Sequence, residues 1–232
     1  MDWKIKGFSG NQLKLLALIC MTIDHIGLFL LPRYTILRII GRLAFPVFAW
    51  MIAEGCRYTR SMGKYLISIA AVGVLYQLEY FLLTGSMKMN ILITFSLSVG
   101  LCWVLKVTRE KSNRWLGVLR LAALAAVFLL TDIVPLLLKK TDYAIDYGFI
   151  GVLLPVAIYL AQGKKQQLLA AGAMLGLLAI WSGWTVQWAS LLAMPLLAMY
   201  SGQRGKGRLK WLFYVYYPAH LTVLWLLLLL RK

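Results

Sequence analysis

Acidic residues are scarce in this chain: Asp and Glu number 8 among 232 residues, and all charged residues together make up 14%. Ordinary soluble domains carry roughly 25% charged residues and about 45–50% apolar ones. Here the hydrophobic share is 61% and the mean hydropathy is +0.76. These values exclude a soluble globular domain, because the polar remainder is too small to cover its surface.

Cysteine is also scarce, and its spacing excludes two further classes of protein. The three cysteines, Cys20, Cys56 and Cys102, form neither a CxxC pair nor the framework of a secreted disulfide-rich protein. Each falls within or at the end of an apolar segment, which favours a small buried apolar role. No A-x-A cleavage site follows the first apolar run, so we expect a retained first helix rather than a signal peptide.

Long apolar runs are abundant, and many approach the roughly 20 residues that a helix needs to span the hydrocarbon core. The predicted spans are 12–31, 36–56, 64–84, 89–107, 115–131, 147–161, 166–182, 184–200 and 211–230. We therefore predict an all-α polytopic membrane protein, a single bundle of about nine transmembrane helices (eight to ten) forming one domain over 1–232. For residues 132–146, Pro135 and three acids favour a loop or re-entrant segment, with a longer tilted helix as the alternative.

Positive charge dominates, with 25 Lys and Arg and a formal net charge of +17. In a soluble chain this excess would indicate a nucleic-acid partner, but cytoplasmic loops of membrane proteins accumulate Lys and Arg for topological reasons. A cytoplasmic N-terminus places most of these residues on the inner side. We expect a multi-pass protein of the bacterial inner (cytoplasmic) membrane, in contact with lipid and not with nucleic acid.

Two ionisable residues, Asp24 and His25, lie inside the first predicted span, about two thirds of the way across it. An ionisable residue at that depth costs at least about 2.5–3.5 kcal/mol on insertion scales, so both should have partners. Adjacent residues on a helix diverge by about 100°, and Asp24 therefore cannot orient His25 in the way that a triad carboxylate does. The second partner of His25 should come from another helix.

Arg38 and Arg42 open the second span, and their four-residue spacing places both on one helix face. The short connection between the first two spans makes them antiparallel neighbours, so we expect Asp24 to pair with Arg42 or Arg38. Pro46 frees the carbonyl of Arg42, which predicts a bend at that residue. We expect the imidazole of His25 and the guanidinium of Arg42 to share one polar pocket.

Five polar residues on other spans are at a depth compatible with His25. These candidate partners and substrate-binding residues are Gln77, Glu79, Asn90, Thr94 and His220. A metal site formed by His25, His220 and Glu79 is the alternative, but no HExxH or other ligand spacing supports it, and we expect no metal.

The assembled motifs resemble the TraX family of membrane proteins, named for a conjugative pilin acetylase. The matching stretches are LKLLALICMTIDHIG (13–27), LRIIGRLAFPVFAWMIAEGCRYTR (37–60), KYL (64–66), NILITFSLSVG (90–100), DYGFIGVLLPVAIYL (146–160) and KWLFYVYYPAHL (210–221). They cover nearly the whole chain in the same order. The combination of Asp24-His25 with RIIGRLAFP is the specific part of this likeness.

The resemblance implies an acetyltransferase that moves an acetyl group from cytosolic acetyl-CoA to an amine or hydroxyl acceptor, such as the N-terminus of a pilin-like peptide or a surface glycan. His25 would be the general base, with Asp24, Arg42 and Arg38 as the other catalytic residues. Cationic loops would attract the phosphates of the acyl-CoA, through Arg57, Arg60, Lys64, Arg204, Lys206 and Arg208.

A proton-coupled transporter is the alternative function, in which buried Asp24, His25 and Arg42 form a proton relay. No repeated half, which is typical of alternating-access folds, is visible in the sequence. This absence favours the acyltransferase.

Overall fold

The structure is a computed structural model that describes residues 7–109, 114–183, 185–207 and 210–230. Within these ranges the chain forms nine helical rods and no extended strand, which agrees with the nine helices predicted. They are α1 (Gly10–His25, continued by Ile26–Leu30), α2 (Thr35–Gly41 and Ala44–Tyr58), α3 (Met62–Thr84), α4 (Ile91–Arg109), α5 (Arg114–Phe128, continued by Leu129–Ile133 and Val134–Leu137), α6 (Gly148–Leu160), α7 (Gly163–Ser182), α8 (Thr185–Ala193 and Met194–Ala198) and α9 (Lys210–Leu230).

Five of these rods have the length and apolar composition needed to cross a membrane: Gly10–Leu30, Thr35–Tyr58, Met62–Thr84, Ile91–Arg109 and Trp115–Leu137. Three more apolar helices are shorter: Gly148–Leu160, Thr185–Ala198 and Val215–Leu230. Large side chains on α3 and α5 are widely exposed, among them Leu82 at 81% and Leu121 at 69%. Exposed apolar area costs about 25 cal/mol per Å² in water, so these surfaces suit a hydrocarbon surrounding.

The chain divides into two compact units, and the division falls within α2 after Met51. The first unit comprises Met1–Met51 and Gly163–Lys232, and in it α1 packs against α2 and α9, while α8 packs against α2 and α7. The second unit comprises Ile52–Gln162, in which α4 packs against α3, α5 and α6. That residues 1–232 form one domain stays a prediction.

Proline explains the main irregularity of α2. The helix is interrupted by a turn at Arg42 and Leu43, four and three residues before Pro46. Since proline has no N–H, the carbonyl of Arg42 has no i+4 donor, and the helix opens at the residue where the sequence predicts the bend.

The segment after residue 131 differs from the loop that Pro135 and three acids suggest. Helix α5 continues to Leu137, because a π-turn at Leu129–Ile133 restarts the helix and Pro135 occupies its first turn. A proline is tolerated there, since the first N–H groups of a helix have no intrahelical partner. The alternative, a longer helix, is therefore confirmed, and the loop is confined to the residues that follow Leu137.

Helix α1 begins under a loop of the same unit. Ser9 and Gln12 form a capping box. The N–H of Gly10 donates to the carbonyl of Gln203 at 2.8 Å, and the N–H of Asn11 donates to that of Arg204 at 2.9 Å. These carbonyls satisfy N–H groups that the first turn of a helix leaves without intrahelical acceptors.

All three cysteines of the chain are free thiols and buried, as the sequence indicates.

Candidate active site

Asp24 is the acceptor at the centre of an ion-pair cluster between α1 and α2. Arg42 Nη2 donates to both carboxylate oxygens, at 3.0 Å to Oδ1 and 2.9 Å to Oδ2, and Arg38 Nη1 donates to Oδ2 at 2.7 Å. Asp24 and Arg42 are only 8% and 7% exposed. The pairing expected from the sequence is confirmed, and it involves both arginines.

Two glycines allow α1 and α2 to approach closely enough for this cluster. A Cβ on Gly41 would overlap the Cβ and carboxylate of Asp24, and a Cβ on Gly27 would lie 2.7 Å from the Cβ of Leu37. Real Cβ atoms essentially never come so near a neighbouring atom. The ion pairs therefore depend on glycine at the contact between the two helices.

His25 faces a different neighbour from Asp24. Its Nδ1 is hydrogen bonded to Nε2 of His220 on α9, at 2.8 Å, and the two rings are stacked with centroids 5.0 Å apart. His220 is 6% exposed, whereas His25 is half-buried. Of the candidate partners of His25, His220 is the one that the structure brings to it within the first unit.

The ring of His220 is itself fixed by its own helix. His220 Nδ1 donates to the backbone carbonyl of Tyr216, one turn earlier, at 3.0 Å. The Tyr216 ring stacks on that of His220 at 5.5 Å, and its hydroxyl is 2.6 Å from the hydroxyl of Thr22 on α1. The contacts made by Thr22 and His25, three residues apart on α1, therefore join one face of that helix to α9.

Asp24 and His25 take part in two neighbouring polar groups with different partners. Asp24 binds Arg38 and Arg42 of α2, while His25 binds His220 of α9, because consecutive side chains on α1 point about 100° apart. That the imidazole of His25 and the guanidinium of Arg42 share one polar pocket stays a prediction. The prediction that Asp24 does not orient His25 is confirmed by the same geometry.

Gln187 of α8 contacts this cluster, and Ser190 lies one 3₁₀ turn further along the same helix; neither was among the sequence candidates. Gln187 Oε1 accepts from Arg42 Nη1 at 3.4 Å, and Gln187 is 2% exposed. Ser190, three residues later, is fully buried. Both lie in a 3₁₀-helical stretch, Thr185–Ala193, where residues i and i+3 eclipse and share a face.

Neither Gln187 Nε2 nor Ser190 Oγ has a hydrogen-bond partner among the described residues. Buried polar atoms without partners are uncommon in native proteins. The signal that could have found Gln187 is the one that found Asp24, a polar residue inside an apolar span.

The candidates on α3 and α4 make structural contacts within the second unit. Asn90 Nδ2 donates to the carbonyl of Gly73 at 2.8 Å and to Gln77 Oε1 at 3.1 Å. Asn90 Oδ1 accepts from the N–H of Leu92, and Thr94 Oγ1 donates to the carbonyl of Asp146 at 2.7 Å. These bonds occupy the polar atoms of Asn90 in shaping the turn before α4. Glu79 is half-buried on α3.

The basic residues assigned to the acyl-CoA differ in what they contact. Arg57 Nη2 donates to carbonyls at the C-terminal end of α6, those of Ile158, Tyr159 and Ala161 at 2.6–3.0 Å, and its Nη1 pairs with Glu54. That placement favours a helix-capping role for Arg57. The side chains of Arg60, Lys64, Arg204 and Lys206 are exposed, and Arg208 lies outside the described residues.

Within the ranges that the structure describes, no three or more His, Cys, Asp or Glu side chains come together in a group suited to a metal ion.

Comparison with known proteins supplies the family. A family model described as TraX protein matches residues 9–228. The chain belongs to the TraX family. A relative from Dichelobacter nodosus, named "Probable fimbrial assembly protein FimC, serogroup H1", is 27% identical over 253 residues, covering 94% of this chain and 94% of that protein.

A second relative is an uncharacterized protein of Rickettsia prowazekii (strain Madrid E), 31% identical over 160 residues. That alignment covers 68% of this chain and 58% of the relative, so this chain matches little more than half of the Rickettsia protein's length. No solved structure matches the chain. Membership of the TraX family, expected from the sequence motifs, is confirmed.

Proposed function

We propose that this chain is a membrane-embedded acyltransferase that moves an acetyl group from cytosolic acetyl-CoA to an amine or hydroxyl acceptor. The observation that carries the proposal is the half-buried His25, whose Nδ1 is hydrogen bonded to His220 and whose Nε2 has no hydrogen-bond partner among the described residues. A neutral imidazole with one nitrogen available is suited to general-base catalysis.

The reaction requires one proton acceptor and one source of positive potential. His25 removes a proton from the neutral amine or the hydroxyl of the acceptor as that atom forms a bond to the thioester carbonyl carbon. The carbon–sulfur bond then breaks, and the proton on His25 passes to the departing thiolate. Acetylated acceptor and free coenzyme A are the products, and the imidazole is again neutral.

Arg38 and Arg42 contribute to this reaction through the positive charge that they hold near His25. They neutralise Asp24, the residue that precedes His25, with two cations on one carboxylate. A positive potential of this kind favours the negative charge that develops on the thioester oxygen in an apolar environment. Their direct effect is on Asp24, so we assign them to charge stabilisation and not to proton transfer.

Phosphate groups of acetyl-CoA require cations that remain accessible. Arg60 and Lys64 meet that requirement in the second unit, and Arg204 and Lys206 meet it in the first. Arg57 is less suited, since its guanidinium already binds backbone carbonyls. The proposed location is the bacterial inner membrane with a cytoplasmic N-terminus, the side on which acetyl-CoA is made.

The acceptor that fits the comparisons is a pilus-subunit-like peptide with a free N-terminal amine. Support comes from the TraX family and from the relative named for fimbrial assembly. A surface glycan hydroxyl is the other acceptor that the proposed chemistry permits.

Purified full-length protein in nanodiscs tests the proposal. It should release coenzyme A thiol from acetyl-CoA when given a pilin-like peptide with a free N-terminus, and mass spectrometry should find the acetyl group on that amine. An N-blocked peptide should give no product. His25→Ala should abolish release, while Thr222→Val, an exposed change on α9, should not.

The transporter alternative has its own readout in the same preparation. If no peptide, glycan or small amine supports thiol release, and proteoliposomes show proton flux that His25→Ala removes, the acyltransferase assignment fails.

A further inference from the structure

The hydrogen bonds around His220 determine which nitrogen of each imidazole carries hydrogen. A backbone carbonyl can only accept, so the contact of His220 Nδ1 with the carbonyl of Tyr216, at 3.0 Å, requires a hydrogen on Nδ1. A neutral imidazole has one N–H, and Nε2 of His220 is therefore an acceptor. The hydrogen in the 2.8 Å contact then belongs to Nδ1 of His25.

We propose that His220 is a positioning residue that fixes the tautomer of His25, so that Nε2 of His25 accepts the proton during acyl transfer. This inference rests on the proposed function for its catalytic consequence, whereas the tautomer itself is a property of the resting protein. His25 donates to His220, and His220 donates to the carbonyl of Tyr216, so each of these two N–H groups has an acceptor.

The arrangement also stabilises the protonated form of His25. When Nε2 takes up a proton, the Nδ1–H bond to His220 becomes charge-assisted and stronger. A carboxylate often supplies this orientation in enzymes, and here a buried neutral imidazole supplies it. The nearest carboxylate, Asp24, is already engaged by Arg38 and Arg42.

The surroundings favour neutral rings. The charged or titratable groups around this pair are Asp24 beside His25 on α1, Arg38 and Arg42 on the neighbouring α2, and Tyr216 and Tyr217 beside His220 on α9. A further cation beside two guanidinium groups inside an apolar span is costly. A doubly protonated His220 would reverse the donor order, and this reversal is what the experiment below can detect.

Nitrogen NMR gives a direct test, because the chain contains only 2 histidines. Full-length protein labelled with ¹⁵N-histidine in nanodiscs should show both rings as neutral Nδ1–H tautomers. An unconstrained imidazole prefers the Nε2–H form, so this result would not arise by default. An Nε2–H tautomer or an imidazolium at His25 in the resting protein at neutral pH overturns the proposal. The measurement needs no acyl substrate, so its result does not depend on whether the proposed function is correct.

Variants of His220 connect the tautomer to the rate. His220→Leu removes the acceptor, so the signal of His25 should shift toward the Nε2–H form and kcat should fall about tenfold, with KM for acetyl-CoA little changed. His220→Gln offers a side-chain oxygen that can accept from Nδ1, and it should restore part of both properties.

Thr222→Val, two residues along the same helix and exposed, is the matched control and should alter neither property. If His220→Leu is folded and keeps both the wild-type tautomer of His25 and the wild-type kcat, His220 does not position His25.

Discussion

Asp24 accepts hydrogen bonds from two arginines that lie one turn apart, Arg38 at 2.7 Å and Arg42 at 2.9 Å, both to the same carboxylate oxygen. The short connection after α1 brings these residues to one level. A carboxylate shared in this way is neutralised within the protein, which is what an apolar span requires. Because Asp24 is held against α2, the next residue, His25, points from another face of α1 toward α9.

Removal of the carboxylate should destabilise the fold. Asp24→Ala leaves two buried guanidinium groups without the carboxylate between them, and loss of one partner of a buried ion pair costs about 3–5 kcal/mol. Thermal unfolding in detergent, followed by circular dichroism, should show a melting temperature lower by several degrees. Glu54→Gln, which removes one partner of an i,i+3 pair, should cost about 0.5 kcal/mol. Equal effects of the two changes would contradict a central role for Asp24.

A methyl group at Gly41 should separate α1 from α2. Because that Cβ would overlap the side chain of Asp24, Gly41→Ala is expected to lower the free energy of unfolding by about 1–3 kcal/mol and to reduce acyl transfer. Gly176→Ala in α7 is the matched control, since beyond its chain neighbours and the adjacent backbone of its own helix no described atom lies within 4 Å of the added Cβ. It should stabilise the helix by about 0.5–1 kcal/mol. A stable and active Gly41→Ala protein would show that the close approach is not required.

The break in α2 should matter for turnover more than for stability. Pro46→Ala restores an N–H that can donate to the carbonyl of Arg42, so the helix should close and its melting temperature should be unchanged or higher. Closure would shift the backbone of Arg42, so that its guanidinium, still paired with Asp24, would lose its contact with Gln187, and coenzyme A release should fall about tenfold. Pro32→Ala, in an exposed turn of the same unit, should change neither quantity. Wild-type turnover in Pro46→Ala would show that the bend does not position Arg42.

The loops at one end of the second unit should be sensitive to acid. Asp142 accepts from Ser86 Oγ at 2.5 Å and from the N–H of Met87 at 2.9 Å, and these bonds lower the pKa of its carboxyl below the ordinary value, that to Ser86 most. A group whose pKa is lower in the folded state stabilises the fold above its unfolded pKa. That stabilisation disappears as the pH falls through the folded pKa.

Ser86→Ala should therefore raise the pKa of Asp142, so that protection of these loops is lost at a higher pH than in the wild type. Hydrogen exchange of the amides of residues 85–89, measured as a function of pH, should show this shift. Ser68→Ala on α3, whose hydroxyl bonds only to its own helix among the described residues, should leave the profile unchanged. If the pH profile of exchange in Ser86→Ala is the same as in the wild type, contacts other than that of Ser86 order these loops.

Several features of the site were predictable from the sequence because local constraints determine them. A connection of four residues makes α1 and α2 antiparallel, and i,i+4 spacing aligns Arg38 with Arg42. The ion pair of these arginines with Asp24 could therefore be predicted. Pro46 determined where α2 opens. These inferences need only helix geometry and the high cost of an unpaired charge in lipid.

The partner of His25 required the structure. Depth in the membrane admitted five residues, and depth does not determine which helix packs beside α1. Gln187 and Ser190 were missed because 184–200 reads as one apolar α-helix, whereas the chain winds there as a 3₁₀-helix that brings both to one buried face. Asn90 and Gln77 bind each other and the backbone, contacts that the polarity of single residues could not predict, and their binding of substrate stays a prediction.

The enclosure of Cys20, Cys56 and Cys102 gives the intact chain an experimental use. A water-soluble maleimide should leave these native thiols unmodified in the folded protein, so a cysteine introduced at any exposed loop becomes the sole target. Labelling from outside whole cells, compared with labelling after lysis, would then report the sidedness of each loop without replacement of a native residue.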